Sequence, residues 1–207
     1  MCRRVNDTPL DMEEWNRQRE IQRAPDPSII DLGFSTLYLN RTNRSGVIKG
    51  GVIGGKAQAG QWKIDARFNR KNIQERIQKL ASYQSRVSLY QRDALDLITE
   101  LADKTPQKTL FYLDPPYYRK ADKLYDNHYK AADHANLASA IGKLNRPWVV
   151  SYDDQPEIRE LYKDFSQEGF GIGYSAGTVT KGSEVMIFGN KVANRPGTIS
   201  TWRGFAA

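Results

Sequence analysis

Apolar residues follow two different periods along the chain, and the change from one to the other organises it. Ile30, Phe34, Leu37 and Tyr38 recur at helical spacing behind Asp26 and Pro27, so a helix is expected to open there. Before it, Thr8, Pro9 and Asp11 form an N-cap, first-turn and capping-box-like sequence, which predicts a helix running to the region of Arg23 and carrying Arg17, Arg19 and Arg23. Residues 40–62, NRTNRSGVIKGGVIGGKAQAGQW, hold no sustained period and read as a long, basic, glycine-rich loop.

From Asn69 the pattern alternates between the two periods. Ile73, Ile77 and Leu80 define a helix, RVSLY (86–90) a strand, and DALDLITELADK a helix beginning near Asp93. The strand TLFYL (109–113) follows, then a helix around HANLASAIGKL, a strand PWVVSY, a helix near PEIRELYKDF, and two strands, FGIGYSA and SEVMIFGN. That order predicts an α/β fold, a mostly parallel sheet with helices packed on it and closed by an antiparallel hairpin. The expected organisation is a helical and loop region over 1–68, an α/β portion over 69–190, and a tail over 191–207 without a clear element.

Composition narrows the class only slightly. A chain of 207 residues suits one α/β domain with an elaborated loop region. Its formal charge of +7 is compatible with a polyanionic partner. The single Cys2 excludes a disulfide framework and a cysteine-rich zinc site and suits a reducing cytoplasm; no metal-ligating residues are singled out. No apolar run approaches the length of a membrane span, and MCRRVNDTPLDMEEW lacks the apolar core of a signal peptide.

The chemistry concentrates in FYLDPPYY, residues 111–118. Ligands of open α/β sheets bind beyond the carboxyl ends of strands, which is where Asp114 stands. Pro115 and Pro116 stiffen the exit and hold it non-helical. Asp114 and the carbonyl of Pro115 can accept two hydrogen bonds from one amino group and turn its lone pair towards an electrophile. Tyr117 offers a flat face on which an extruded base would stack, at a gain of roughly 1–3 kcal/mol. The plainer alternative is a β-turn with an edge carboxylate, since Asp-Pro pairs are common turn formers.

The D-P-P-Y tetrad resembles the catalytic motif of S-adenosylmethionine-dependent amino-methyltransferases, in particular the Dam-type adenine-specific DNA methyltransferases. The likeness continues through FSTLYLNRTNRSGVIKGGVIGG (34–55), ARFNRKNIQERI, LYQRDALDLI, LFYLDPPYY, WVVSYDD and SEVMIFGN, covering the chain up to about Asn190. It implies a Rossmann-like methyltransferase sheet with a helical DNA-recognition insertion, S-adenosylmethionine as cofactor, and methyl transfer to the amine of an adenine flipped out of double-stranded DNA. By that resemblance Asp114, Pro115, Pro116 and Tyr117 are catalytic, and Asp93 joins Asp114 beside the cofactor, with a helix N-cap as the alternative for Asp93. Arg41, Ser45 and Lys49 are implied to contact DNA, and Arg44 to wedge against the duplex; a solvated loop surface is the alternative for Arg41 and Arg44. Ser45 departs from the asparagine often found there in GATC-reading relatives, which leaves the recognition sequence open.

Other features receive weaker roles. Tyr152 and Asp153 are expected at the cleft edge, and YDNHY (125–129) where a closing loop would sit. His128 and His134 read as surface histidines, because methyl transfer depends on alignment more than on a strong base. Gly50, Gly55 and Lys56 approach a phosphate-binding loop, but Ala57 replaces its serine or threonine. The family's F-x-G-x-G cofactor loop and its ribose-holding acid are not found in the sequence, and the resemblance puts their strands between the one ending before Asp93 and the one ending at Asp114. The chain is therefore expected to be a partial methyltransferase with its first strands absent, weak in cofactor binding alone and completed by an N-terminal segment or partner chain. The alternatives are a non-catalytic DNA-binding remnant and one half of a split enzyme.

Overall fold

The computed structural model describes residues 1–119, 129–174 and 180–192. Contacts divide the chain between Leu89 and Tyr90 into two units. The helix over 70–81, grouped by its sequence pattern with the later elements, lies in the first of these.

The first unit consists of α1 (Cys2–Asp7), α2 (Met12–Arg23), α3 (Ile29–Thr42) and α4 (Arg70–Ala81) with the long loop between the last two. Asp11, not Thr8, caps α2 by accepting from the Glu14 amide at 2.8 Å, while Thr8 ends α1. Ser28, not Asp26, caps α3 through the Asp31 amide at 3.1 Å. In both cases the competing oxygen nearer the apolar run wins, three residues on for α2 and two for α3, because only it faces the unbonded amides of the first turn. The apolar stripe of α3 buries Phe34, Tyr38 and Leu39 against Val5, Trp15, Val52, Ile64, Phe68 and Ile73. Phe34 and Leu39 each contribute about 1.5–3 kcal/mol relative to exposure. Ser35 Oγ donates to the Gln18 carbonyl at 2.6 Å and joins α3 to α2. Arg70, the first residue of α4, donates to the carbonyls of Val5, Asn6 and Thr8 and so ties α4 to the end of α1.

The second unit contains α5 (Ala94–Leu101), β1 (Phe111–Leu113), α6 (Ala131–Gly142), β2 (Trp148–Asp153), α7 (Pro156–Leu161), β3 (Ser166–Tyr174) and β4 (Thr180–Phe188). The sheet runs β1-β2-β4-β3, with β1 parallel to β2 and the other pairings antiparallel. The expectation of a mostly parallel sheet is therefore corrected: among the described residues one pair is parallel. The strand expected at RVSLY does not form either. Residues 84–86 make a 3-10 turn, and Val87, Leu89 and Tyr90 are 56%, 93% and 59% exposed. A strand holds its conformation through a neighbour's hydrogen bonds, and this segment pairs with no strand among the described residues. Every residue of β2 is buried, as befits a strand covered on both faces. Val150, Tyr152, Val185 and Ile187 form the core with Leu137 and Ile141 of α6 and Ile158 of α7. Gly189 follows β4 where a Cβ would stand 2.6 Å from the Trp148 ring, so only glycine lets that ring close the core.

Candidate functional site

Sheet register decides what surrounds Asp114. Leu113 pairs with Val150, so the next residue along β1 comes beside Ser151. Ser151 Oγ donates to Asp114 Oδ1 at 3.0 Å, and the Tyr112 hydroxyl lies 3.0 Å from the same Oγ. A serine hydroxyl has one proton; with it committed to Asp114, Tyr112 is the donor in the second contact. One carboxylate oxygen is thus oriented by a buried serine while the Asp114 residue stays open to solvent.

The rest of the motif is anchored to the neighbouring strands. The Tyr117 hydroxyl donates to Glu184 Oε1 on β4 at 2.7 Å. Asp153, at the end of β2, accepts from the backbone amides of Tyr118 at 2.8 Å and Arg119 at 3.3 Å. The sequence placed Asp153 at the cleft edge without a role; its carboxylate satisfies two amides of the turn that follows the prolines. Ser151 and Glu184 were missed. The signal for Ser151 lay in the pairing of adjacent parallel strands, whereas Glu184 reaches Tyr117 only through the antiparallel placement of β4, which no local pattern carries.

A groove of about 380 Å³ runs between α5 and β1. Leu97, Ile98, Leu101 and Phe111 form much of its apolar wall, and Asp114, Pro115 and Pro116 also line it. Asp93 caps α5 there, Oδ1 accepting from the Leu95 amide at 2.8 Å and more weakly from Asp96 at 3.4 Å. The helix-cap reading of Asp93 is therefore realised.

His134 is corrected from a surface residue to a buried one, 1% exposed. It shares one face of α6 with Leu137, Ala138 and Ile141, a helical spacing that already marked it as core. Its Nδ1 lies 2.9 Å from the Tyr152 hydroxyl, and the rings of Tyr118, Tyr129 and Tyr152 surround it at 5.1, 5.3 and 5.5 Å. Burial pushes the imidazole below its ordinary pKa, against the opposing pull of Asp153 and Asp133. Burial likewise pushes the Tyr152 and Tyr162 phenols far up. Burial thus disfavours the charged forms of His134, Tyr152 and Tyr162 behind the motif. His128, with the rest of 120–128, lies outside the described residues.

In the first unit, the segment implied to face DNA closes on itself. Asn43 and Val52 form a β-bridge, and the Arg44 amide donates to the Gly51 carbonyl at 2.9 Å. Between them Arg44, Ser45 and Lys49 are exposed, with Ser45 in the left-handed region at φ 54°. Arg41 stands apart from them on the last turn of α3, half-buried. Asn43, which the sequence gave no reason to single out, organises the loop: it is fully buried, accepts from Trp15 Nε1 at 2.7 Å, and donates to the carbonyls of Val47 and Ile48 at 2.9 Å. Around Gly50, Gly55 and Lys56 the backbone makes turns pinned by the Gln58 side chain, not the strand, loop and helix of a phosphate-binding loop.

The family model of the D12 class N6 adenine-specific DNA methyltransferases matches residues 5–172, from α1 into β3. No curated protein matches the chain. No helix among the described residues is long and apolar enough to cross a membrane.

Proposed function

Since the chain belongs to the D12 class N6 adenine-specific DNA methyltransferase family, we propose that it takes part in transfer of a methyl group from S-adenosylmethionine to the exocyclic amine of an adenine flipped out of double-stranded DNA. The observation that carries this reading is the setting of Asp114, exposed at the carboxyl end of β1 with one oxygen oriented by Ser151. The carboxylate and the Pro115 carbonyl accept the two amine hydrogens, which localises the nitrogen lone pair away from the ring. Tyr117 stacks on the base, its own hydroxyl fixed by Glu184. Asp114, exposed to solvent, would take the proton that the amine sheds once the carbon–nitrogen bond begins to form, so alignment outweighs basicity. S-adenosylmethionine, when bound, supplies an electrophilic methyl on a sulfonium.

The residues present fit one side of that cofactor. The apolar wall of α5 and β1, with Asp93 at the head of α5 and Asp114 at the end of β1, suits an adenosine and an adjacent cation. The opposite side has no counterpart here: β1 pairs only with β2 among the described residues, and Leu110 and Tyr112 are 57% and 60% exposed. The reading therefore includes a strand-bearing segment, on the same polypeptide or another, that pairs with β1 and completes a Rossmann-like sheet. Arg41, Arg44, Ser45 and Lys49 contact the duplex, and the first unit with its loop is the DNA-recognition part. The bare β1 edge also favours a second reading, salt-sensitive DNA binding without turnover.

The test is methyl transfer from labelled S-adenosylmethionine to unmethylated duplex, by the parent chain and by Asp114→Ala, each alone and with an F-x-G-x-G-bearing segment fused or in trans. Turnover is expected only when that segment is supplied, and Asp114→Ala abolishes it while duplex affinity stays near the parental value. Parental-rate turnover by Asp114→Ala removes that residue from the chemistry. Duplex binding with no turnover in any arrangement leaves the second reading.

A further inference from the structure

His134 stands where three parts of the candidate site meet. The Tyr118 ring, one residue beyond Tyr117, lies 5.1 Å from the imidazole, and the Tyr129 ring lies 5.3 Å from it. Tyr129 also lines the groove shared by Asp114, Pro115 and Pro116. The third contact is β2, where the Tyr152 hydroxyl lies 2.9 Å from Nδ1. Nε2, the other ring nitrogen, is buried with no hydrogen-bond partner among the described residues. A neutral imidazole leaves one atom unmatched there. An imidazolium has to donate from both nitrogens, so its charge would be buried with an orphaned N–H. The charged groups around the ring do not supply the missing acceptor. Asp153 directs its oxygens to the Tyr118 and Arg119 amides, and Asp133 accepts from the Lys130 amide. From the end of α7 comes the Tyr162 ring, packed on Tyr152, while Arg119 pairs with Glu157 of α7 at 3.0 Å.

We propose that His134 is a positioning residue for methyl transfer: its neutral side chain holds the turn that carries Tyr117 and the groove wall at Tyr129 in one arrangement, and its protonation releases both. The assignment rests on the DNA-methylating reading above, which makes Tyr117 the stacking face. The bond to Tyr152 and the packing of Tyr118 and Tyr129 are disturbed together, because all three meet on one imidazole. Burial sets the direction with pH, holding the packed imidazole below its ordinary value of 6.5. Release of the turn lets water reach the ring and returns it towards that value. As pH falls below it, the released form gains the proton first. The packed arrangement is therefore fully favoured above that value and weakens below it, until the pKa of the packed ring is passed.

The experiment is hydrogen exchange of the Tyr118 and Arg119 amides in the full chain, followed by NMR from about pH 7 to about pH 5, with and without low urea, for the parent and His134→Gln. After correction for intrinsic exchange, protection of these amides in the parent is expected to fall by up to about tenfold per pH unit below the ordinary histidine value, with no urea dependence, because the opening is local. The amides of β2, covered by β1 and β4, exchange only through unfolding and stay urea-dependent. His134→Gln keeps a hydrogen-bonding side chain that cannot charge, so its turn loses the pH slope. A duplex carrying 2-aminopurine at the target supplies the second arm: its stacking signal declines over the same pH range for the parent and holds for His134→Gln. Turn amides that share the urea dependence of β2 mark a merely structural histidine and overturn the proposal. A slope that persists in His134→Gln assigns the titration to Asp153 and overturns it too. A turn that opens with pH while the stacking signal stays constant overturns the positioning role. No stacking signal from the parent at any pH removes the DNA-methylating reading, and with it any role in methyl transfer, whatever the exchange shows.

Discussion

Replacing Asn43 by alanine tests whether one buried amide shapes the loop implied to face DNA. Asn43 and Trp15 are 0% and 1% exposed, and the indole Nε1 donates to Asn43 Oδ1 at 2.7 Å. Alanine leaves that N–H buried and unpaired, which costs about 1–3 kcal/mol. The two bonds from Nδ2 to the Val47 and Ile48 carbonyls lie nearer the surface, where water can replace them, and their loss adds about 0.5–1 kcal/mol each. The expected loss is about 2–5 kcal/mol, read by urea denaturation with far-UV circular dichroism. A double-mutant cycle with Trp15→Phe isolates the shared bond: with both partners removed no orphan remains, so the double variant should be more stable than the sum of the single losses by about 1–2 kcal/mol. A loss below about 1 kcal/mol for Asn43→Ala, or an additive cycle, refutes the reasoning.

Three further outcomes follow from the geometry. Tyr117→Ala should weaken stacking of a 2-aminopurine target by roughly 1–3 kcal/mol while Tyr117→Phe, which keeps the ring and loses the bond to Glu184, stays near parental; equal signals from all three would argue against stacking there. Burial places the folded pKa of His134 below its unfolded value of 6.5, so as pH falls the unfolded chain gains the proton first. Stability is then full above that value and declines below it until the folded pKa is passed, by up to about 1.4 kcal/mol per pH unit. His134→Gln, followed by denaturation across that range, should flatten the decline, and an unchanged decline would assign it elsewhere. Ser45→Gly should stabilise by about 0.5–1 kcal/mol in thermal melts, since glycine relieves the left-handed strain at φ 54° but loses more chain entropy on folding; a lower melting temperature would contradict this.

The chain's own order of residues determined whatever depends on neighbours a turn or a strand apart. The stripes of α3, α4 and α6 were legible as helices because their apolar residues repeat every three or four positions, and β2 as a strand because its run of apolar and aromatic residues is short and bounded by turn formers. The motif at Asp114 was legible because two prolines and an aromatic ring impose their geometry locally. What required the tertiary structure was every choice between equivalent local options and every contact between distant positions. RVSLY has a strand's composition, but a strand needs a partner's hydrogen bonds, and none is supplied to it among the described residues. Thr8 and Asp11 are both good caps, and the packing of α2 through Trp15 selected the second. Ser151 and Glu184 lie 37 and 67 positions from the residues they meet. Periodicity records which face of an element is buried; only the fold decides which other element covers that face.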